Sequence, residues 1–467
     1  MDYFNHTIVA PSTAQGGAIA VIRVSGSDAL LCVDRIFRGK TPLAQSRGYS
    51  LHFGTLHEAD GTLLDEVLVS VFRAPHSYTG ENAVEIACHG SDYIVSRIMD
   101  LLLQNGAKMA APGEFTQRAF LHGKMDLSQA EAVADLIAAQ TAAAHRIALK
   151  QLKGGFSEEL AGMRAELLHL ASLMELELDF SEEEVEFADR TQLLELVEKV
   201  LAHCQKLIES FRLGNAIKNG VPVVIVGNTN SGKSTLLNAL LGENRAIVSD
   251  IAGTTRDTIE ETCNLDGVLF RFIDTAGLRE SEDTIERIGI ERAYEKLAAA
   301  QLVLVMLDLC APLPDLLASA RDIAGRITDE QQLVFLLNKA DAVPGSSADA
   351  AREALAPLLS LSGRQVFVIS AKSGAGLDSL RHALAAIWCD LDTSAETTLV
   401  TNTRHLEALR NAATALDRVR DGLRTSLPTD LIAQDLRESL YHLGTIVGEV
   451  TTNEILGNIF KNFCIGK

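Results

Sequence analysis

The stretch of sequence at residues 221–235 reads VPVVIVGNTNSGKST. Its apolar run at residues 223–226 predicts a buried strand, and residues 235–241 predict a helix. Between them lies a loop of small residues whose backbone N–H groups can point at phosphate oxygens. Lys233 is expected to reach the β- and γ-phosphates of a nucleotide, and the Ser234 hydroxyl is expected to ligate Mg²⁺. The stretch therefore predicts a phosphate-binding loop.

Three further motifs follow apolar runs that predict strands, namely DTAG at residues 274–277, NKAD at 338–341 and SAK at 370–372. Asp274 is expected to hold the water shell of the metal. The Asp341 carboxylate can accept two parallel hydrogen bonds from N1–H and the exocyclic amine of guanine, an edge that adenine does not offer. A backbone N–H of the SAK motif can reach the guanine O6. The four motifs in this order resemble the translation-factor branch of the GTPases, and they predict GTP rather than ATP as the nucleotide.

Asn230 and the segment SDIAGTT at residues 249–255 bear on catalysis. Leu278 occupies the position at which Ras-like enzymes carry a water-orienting glutamine, and leucine can neither donate nor accept a hydrogen bond. The pattern resembles GTPases in which a bound K⁺ replaces an arginine finger. In those GTPases the Asn side-chain oxygen and backbone carbonyls surround the ion, and Thr255 matches their second Mg²⁺ ligand. The K⁺ ligands implied by this resemblance are Asn230, Ser249, Ile251 and Thr254.

Glu286 lies in the charged segment at residues 279–287 and matches the water-orienting acid of those GTPases. The alternative is a solvated charge, because most glutamates are exposed and have no other role. Arg256 and Arg279 are candidate arginine fingers, although nothing local distinguishes them from solvated charges. The predicted GTP-binding residues are Asn230, Ser231, Gly232, Lys233, Ser234, Thr235, Ser249, Asp250, Ile251, Ala252, Gly253, Thr254, Thr255, Asp274, Thr275, Ala276, Gly277, Asn338, Lys339, Ala340, Asp341, Ser370, Ala371 and Lys372.

Composition limits the class of protein. The chain has 467 residues, a length that indicates about three domains. Its seven scattered cysteines form no CxxC or other zinc spacing, which favours a reducing compartment. The N-terminus lacks the basic, apolar pattern of a secretion signal, and the apolar run at residues 302–307 is too short to span a membrane, so a cytoplasmic protein is expected. The formal net charge of −20 repels polyanions, so a nucleic acid would need a local basic patch or a second protein.

Changes in periodicity predict four segments. Residues 1–120 alternate apolar runs with turns and predict an α/β domain, whereas helical periodicity flanks the nucleotide-binding motifs on both sides. A GTPase domain inserted into a helical bundle is therefore expected. The predicted bounds are 1–120 for the N-terminal domain, 121–215 and 385–467 for the two helical parts, and 216–384 for the GTPase domain. Within them we expect strands at 19–24, 68–72 and 83–87, a helix break at Gly154-Gly155, and linkers at 213–220 and 390–403.

Three side chains outside the GTPase domain are candidates for function. Arg23 and Glu85 lie inside predicted apolar strands, where a charge is costly unless it is paired or binds a ligand, and an ion pair is the simpler interpretation. Cys464 lies close to the C-terminal end of the sequence. Its thiol is either a nucleophile or part of a frayed tail. Cys204, in contrast, lies on an apolar helical stripe and is predicted to be a core residue.

The whole chain resembles the MnmE (TrmE) family of tRNA-modification GTPases, in the superfamily that groups TrmE with Era, EngA, YihA and the septins. The residues that carry the resemblance are TIVAPST and VIRVSG near the N-terminus, YTGENAVEI, PGEFTQRAFLHGKMDLSQAEAVADLI, DTAGLRE with IERIGIERA, and the terminal FCIGK. PGEFTQRAF and CIGK are specific to the family. The resemblance implies a multidomain α/β plus α fold: an N-terminal α/β tetrahydrofolate-binding domain, a helical bundle and an inserted Ras-like P-loop GTPase domain.

The resemblance also implies a reaction. The chain would homodimerise through its N-terminal domain and, with the FAD-binding partner MnmG (GidA), form an α2β2 heterotetramer. That assembly would add an aminomethyl or carboxymethylaminomethyl group to C5 of the wobble uridine (U34) of certain tRNAs. The one-carbon donor would be 5,10-methylenetetrahydrofolate, with 5-formyl-tetrahydrofolate as an analogue, and hydrolysis of GTP would require K⁺ and Mg²⁺. The residues implied to contact the folate are Arg23, Glu85, Lys124 and Lys467, with Cys464 as the thiol near the folate and the uridine.

One loop departs from the family pattern. Residues 13–18 read TAQGGA, whereas the family usually carries Gly-Arg-Gly there, so this chain lacks the arginine for any folate or dimer contact made at that position. The alternative function is an RNA-gating assembly GTPase of the ribosome-associated kind. Such a protein would more naturally carry a basic, KH-like appendage, and the terminal CIGK favours the tRNA-modification family.

Overall fold

The computed structural model describes residues 6–179, 190–244, 261–273, 297, 300–328, 331–359, 364–389, 398–425, 427–461, 463–464 and 466. The chain divides into two compact units. The first comprises residues 1–137, 148–201 and 411–467, and the second comprises residues 138–147 and 202–410. The four domain bounds stay predictions. None of the helices in the described ranges is long and apolar enough to cross a bilayer.

A seven-stranded sheet organises the N-terminal part of the first unit. Its strand order is β3-β4-β5-β6-β2-β1-β7. Residues alternate between its two faces, and Ile22, Val69 and Ile86 on the inner face are completely buried. The three strands predicted here are confirmed, and the second is longer than expected because the alternation begins at Leu63. The strands are β1 (Ile8–Pro11), β2 (Ile19–Ser25), β3 (Phe37–Gly39), β4 (Ser50–His57), β5 (Leu63–Phe72), β6 (Ala83–His89) and β7 (Lys108–Met109).

The other elements of the first unit are helices. The predicted break at Gly154-Gly155 is confirmed, and a further break at residues 139–141 separates two helices that sequence periodicity joined. The helices, some of which continue into the second unit, are α1 (Ala29–Asp34), α2 (Asp92–Gln104), α3 (Glu114–Leu121), α4 (Leu127–Ala138), α5 (Ala142–Leu152), α6 (Gly155–Asp179), α7 (Arg190–Asn219), α12 (Thr403–Arg424), α13 (Thr429–Val447) and α14 (Asn453–Phe460).

The linker predicted at residues 213–220 is wrong. Helix α7 continues to Asn219, because Leu213, Ala216 and Ile217 recur at helical spacing and are buried. Their contacts with the core outweigh the Gly and Asn residues that indicated a loop. Cys204, on the same helix, is completely buried as predicted.

A six-stranded sheet organises the second unit, in the order β13-β12-β11-β8-β10-β9. Strands β13, β12, β11, β8 and β10 are parallel to one another, and β9 is an antiparallel edge strand next to β10. Helices cover both faces, as expected for a doubly wound α/β domain. The predicted strands and the helix after the phosphate-binding loop are confirmed. The elements are β8 (Val221–Gly227), α8 (Lys233–Asn244), β9 (Glu261–Leu265), β10 (Val268–Phe272), β11 (Leu302–Asp308), α9 (Leu313–Ala324), β12 (Gln332–Asn338), α10 (Gly345–Leu359), β13 (Arg364–Val368) and α11 (Leu377–Cys389).

Candidate functional site

Three of the four nucleotide-binding motifs lie within the described residues, and they meet at one edge of the six-stranded sheet. The loop after β8, the NKAD motif after β12 and the SAK motif after β13 all follow the carboxyl ends of parallel strands, where α/β sheets bind ligands. The predicted residues Ser249–Thr255, Asp274–Gly277 and Glu286, with Leu278, Arg256 and Arg279, lie outside the described residues. So does the predicted folate contact Lys467.

Asn338 joins the three loops. It is buried, its Nδ2 donates to the Ser231 carbonyl oxygen at 2.8 Å, and its Oδ1 accepts from the Ala371 backbone N–H at 2.9 Å. One amide side chain therefore satisfies a backbone group in the phosphate-binding loop and another in the SAK motif. Because both bonds are buried, breaking either leaves an unpaired polar group. Asn338 fixes the distance between the phosphate-binding and base-binding parts of the site.

Asp341 is exposed and is oriented by a neighbouring hydroxyl. The Ser370 Oγ donates to Asp341 Oδ1 at 2.6 Å. This hydrogen bond, followed by one from the Asp341 backbone N–H, holds the pKa of Asp341 below its ordinary value. The carboxylate thus stays charged. Oδ2 and the remaining lone pair of Oδ1 can still accept from a base that presents two adjacent N–H groups.

Lys233 begins helix α8 and lies over the loop. Its Nζ donates to the carbonyl oxygens of Gly227 at 2.8 Å and Asn228 at 2.9 Å. Burial lowers the pKa of Lys233. The ammonium group is therefore positioned by the phosphate-binding loop. It can replace one of these hydrogen bonds to a carbonyl oxygen with one to a phosphate oxygen.

Ser234 and Asn230 are the described residues predicted to bind metals. Ser234 is exposed in the first turn of α8. Asn230 is exposed too, and its φ of 61° places it in the left-handed region, which asparagine tolerates. Both supply hard oxygen donors, which fit Mg²⁺ and K⁺. Among the described residues no group of three or more His, Cys, Asp or Glu side chains could hold a metal ion.

Sequence reasoning missed Asp308 in this site. The Lys339 Nζ donates to Asp308 Oδ2 at 2.7 Å, and Lys339 itself has a φ of 66°. Partial burial acts to raise the pKa of Asp308, but the hydrogen bonds from Lys339 and the Cys310 backbone leave it below its ordinary value. Its place at the end of strand β11, beside the strand that carries NKAD, is the signal that could have identified it.

In the first unit, Arg23 and Glu85 form an ion pair. They lie directly opposite each other on β2 and β6, with Arg23 Nη2 at 2.8 Å from Glu85 Oε1. The Arg23 guanidinium also lies 5.3 Å from the centroid of the Tyr78 ring and 5.6 Å from that of Phe115. Lys124 donates instead to the Pro75 carbonyl oxygen at 3.0 Å. The ion-pair interpretation of the two strand charges is confirmed, and a ligand role for them stays a prediction.

A buried charge cluster supports the ring beside Arg23. Arg118, from the PGEFTQRAF motif, is completely buried and pairs with Glu81 at 3.1 Å and Glu114 at 2.8 Å. The Tyr78 hydroxyl lies 2.9 Å from the Thr116 Oγ1 of the same helix. These bonds connect the segment at residues 78–81 to α3, so the Tyr78 ring is held against the Arg23 guanidinium. Sequence reasoning used this motif only for the resemblance.

Cys464 and Gly466, the described residues closest to the end of the sequence, are bound through their backbone rather than frayed. The Gly466 carbonyl oxygen accepts from Ser12 Oγ and from Arg23 Nη1, each at 3.4 Å. The Gly113 N–H donates to the Cys464 carbonyl oxygen at 3.3 Å, while the Cys464 side chain is exposed. Gly466 is therefore bound to Arg23 on β2 and to Ser12, which follows β1. Cys464 lies two residues before Gly466 in the chain.

Taken together, the doubly wound sheet, the phosphate-binding loop and the NKAD and SAK motifs define a P-loop GTPase. A family model described as "MnmE helical domain" matches residues 127–464, and another described as "GTP-binding protein TrmE N-terminus" matches residues 7–124. The chain belongs to the MnmE family of tRNA modification GTPases.

Several known proteins are similar over the full length. A Parabacteroides distasonis protein named "tRNA modification GTPase MnmE" is 53% identical over 468 residues, covering 99% of this chain and 100% of that protein. Proteins of the same name from Bacteroides thetaiotaomicron and Porphyromonas gingivalis are 51% and 50% identical, covering 99% of this chain and 99% and 98% of theirs. The solved G domain of the T. maritima FeoB iron transporter is 23% identical, with a match that covers 36% of this chain and 98% of that domain and a TM-score of 0.26.

Proposed function

We propose that this chain hydrolyses GTP in a K⁺-dependent manner and, with the FAD-binding partner MnmG, adds a (carboxymethyl)aminomethyl group to C5 of the wobble uridine of certain tRNAs. The observation that carries the GTPase part is the set of hydrogen bonds through which Asn338 and Ser370 orient the phosphate-binding loop and Asp341. Family membership supports the tRNA substrate. The flavin partner, the folate and the monovalent ion are proposals that extend it.

The chain's own groups supply binding and orientation. Lys233 and the loop N–H groups bind phosphates, Ser234 offers a Mg²⁺ ligand, and the Asp341 carboxylate selects guanine. When bound, K⁺ would supply positive charge beside the phosphates, and Asn230 is the described side chain that would hold it. Family resemblance gives Glu286 the role of orienting water. No glutamine is needed in that arrangement.

In the first unit, a one-carbon folate would supply the carbon for the modification. Arg23 is pre-positioned for such a ligand by Glu85 and by two aromatic rings, and a pterin or a carboxylate is a partner for a guanidinium held in this way. Cys464 is presented on the bound tail. Lys124 and Lys467 are the further cations that the family resemblance assigns to the folate.

The requirement for K⁺ is tested by GTP hydrolysis in matched K⁺ and Na⁺ buffers. We expect rates about tenfold or more higher in K⁺ because the ion takes the place of an arginine finger. Asn230→Ala should remove the difference while Asn219→Ala, a neutral exposed change on α7, should keep it. Equal rates of the unmodified protein in both salts would contradict the K⁺ proposal and leave the GTPase assignment standing.

The homodimer is proposed to form through the outer face of the seven-stranded sheet. Phe53 on β4 is 65% exposed and lies opposite Leu68 on β5, which is 44% exposed. Ile19 and Leu51 on the same face are also exposed, and Arg23 and Glu85 share it. Large apolar side chains grouped on one face are typical of a protein interface. A second copy is the occupant that the family resemblance implies.

Sedimentation of the full chain tests this dimer. Phe53→Lys with Leu68→Lys should convert the dimer to a monomer, because two charges would be buried at the contact without partners. Leu431→Lys, at an exposed leucine on α13, is the matched control and should remain dimeric. A monomeric unmodified protein, or a dimer that survives the double change, would contradict this interface.

A further inference from the structure

A stretch without acidic residues interrupts an otherwise acidic chain. The chain carries 62 aspartates and glutamates and a net charge of −20, yet residues 35–57 contain none. The same stretch contains Arg35, Arg38, Lys40 and Arg47, and all four side chains are exposed. We call these four residues the basic edge, because they lie on the segment at residues 35–47, which contains β3, the outermost strand of the seven-stranded sheet.

The segment that carries the basic edge is held in one conformation. The Asp34 carboxylate accepts from the backbone N–H groups of Leu43 at 2.7 Å and Ala44 at 2.8 Å. From the other side, the Arg73 guanidinium donates to the carbonyl oxygens of Ala44 at 2.7 Å and Ser46 at 2.9 Å. The carboxylate of Asp34, which directly precedes the stretch, is thus occupied by backbone N–H groups. Arg73 adds a further positive charge next to residues 44–46.

The charges of the basic edge have no carboxylate partner within the described residues. Arg35 Nη1 donates to the Asn105 carbonyl oxygen at 2.9 Å and Arg38 Nη1 to that of Phe37 at 3.0 Å. Both acceptors are neutral. The Lys40 and Arg47 side chains form no hydrogen bond or ion pair with any described residue. Four exposed cations on one short segment therefore have no neutralising carboxylate among the described residues.

Four other exposed cations in the same unit are paired with carboxylates. Arg418 pairs with Asp435 at 2.7 Å and Glu438 at 2.5 Å. Arg424, Arg437 and Lys199 each pair with a glutamate, at distances of 2.5–2.7 Å. Their charges are neutralised locally, as expected for a solvated helical surface. The unpaired state of the basic edge is therefore not a general property of cations in this unit.

We propose that the basic edge binds the phosphate backbone of the tRNA substrate, an inference that rests on the proposed function. An acidic protein repels RNA at long range, so contact needs a local surface of opposite charge. Guanidinium groups match phosphate geometry, and neutral backbone acceptors leave most of their N–H groups free. Contacts of this kind position an RNA without reading its sequence. The basic edge supplies position, and base recognition belongs elsewhere in the assembly.

The experiment measures binding of unmodified tRNA to the full chain at several salt concentrations. Arg35→Gln, Arg38→Gln, Lys40→Gln and Arg47→Gln combined should lower the slope of log K against log salt by about 0.7–0.9 for each phosphate that is no longer neutralised, and should weaken binding about tenfold or more at low salt. A matched control removes four paired cations through Lys199→Gln, Arg418→Gln, Arg424→Gln and Arg437→Gln. The control should keep its slope and affinity close to those of the unmodified protein.

Lys40→Gln with Arg47→Gln keeps the test decisive if the fourfold variant folds poorly. Neither side chain bonds to a described residue, so this pair should retain the thermal stability and tRNA-free GTP hydrolysis of the unmodified protein and still lower the slope. An unchanged slope in this variant would overturn the inference. A variant that still binds tRNA normally but binds the flavin partner less tightly would overturn it as well. If the unmodified protein, with its partner present, neither binds nor modifies tRNA, the proposed function itself fails.

Discussion

Gly232→Ala is expected to lower the affinity for GTP and GDP by about 10²–10³-fold, because it breaks two buried hydrogen bonds and strains the loop. Gly232 has a φ of 100°, and a Cβ there would lie 2.3 Å from Asn338 Nδ2. Asn338 Nδ2 donates to the Ser231 carbonyl oxygen, and Asn338 Oδ1 accepts from the Ala371 N–H. A methyl group that displaces the Asn338 side chain therefore uncouples the phosphate-binding loop from the SAK motif. Titration with fluorescent GDP and GTP analogues measures the change in affinity.

Gly242→Ala is the matched control for this prediction. Gly242 lies on α8, ten residues further along, and a Cβ there would contact nothing within 4 Å. Alanine in a helix interior is more favourable than glycine by roughly 0.5–1 kcal/mol, so this variant should bind normally and melt slightly later. Binding of Gly232→Ala within threefold of the unmodified protein would mean that Asn338 does not couple the two loops.

Gly466→Ala is expected to release the C-terminal tail and stop tRNA modification while leaving GTP hydrolysis unchanged. Gly466 has a φ of 95°, and a Cβ there would lie 2.1 Å from the Pro11 carbonyl oxygen, a backbone atom that cannot rotate away. The change also breaks the bonds to Ser12 and Arg23. Removal of two hydrogen bonds and the added strain cost roughly 2–4 kcal/mol of tail binding, so the equilibrium constant for tail binding should fall about thirtyfold or more.

Two readouts separate tail release from general damage. Hydrogen exchange at the Gly113 amide, which donates to Cys464, should accelerate in Gly466→Ala, and nucleoside mass spectrometry should record the disappearance of modified uridine. Gly457→Ala on α14, where a Cβ meets nothing within 4 Å, is the control. Cys464→Ser should abolish modification with normal Gly113 exchange. Modification retained by Cys464→Ser would remove the thiol from the mechanism.

Local patterns were sufficient for the elements of the nucleotide site. The apolar runs before the phosphate-binding loop and NKAD were long enough to identify strands β8 and β12, since central parallel strands are buried on both faces. The apolar run before SAK identified β13, which is only half-buried at the edge of the sheet. The same method failed at residues 213–220, where Gly and Asn indicated a loop. There Leu213, Ala216 and Ile217 extend α7, because burial against the core exceeds local propensity.

The sequence could not predict which side chains pair with each other across strands. Sequence placed Arg23 and Glu85 in strands and required a partner for each, but only the register of β2 against β6 made them partners of each other. The role of Asp308 depended in the same way on β11 lying beside β12. Neither register follows from the residues within one strand.

By itself, the sequence determined the order of the motifs, the class of nucleotide, the two α/β folds and the family, because each depends on residues that are close together in the chain. Tertiary structure alone decided that Asn338 joins two loops, that Asp341 is oriented by Ser370, and that Gly466 lies against Pro11 and Arg23. These contacts join residues that are distant in sequence. Their distances and directions are set by how strands pair and helices pack, which no local pattern encodes.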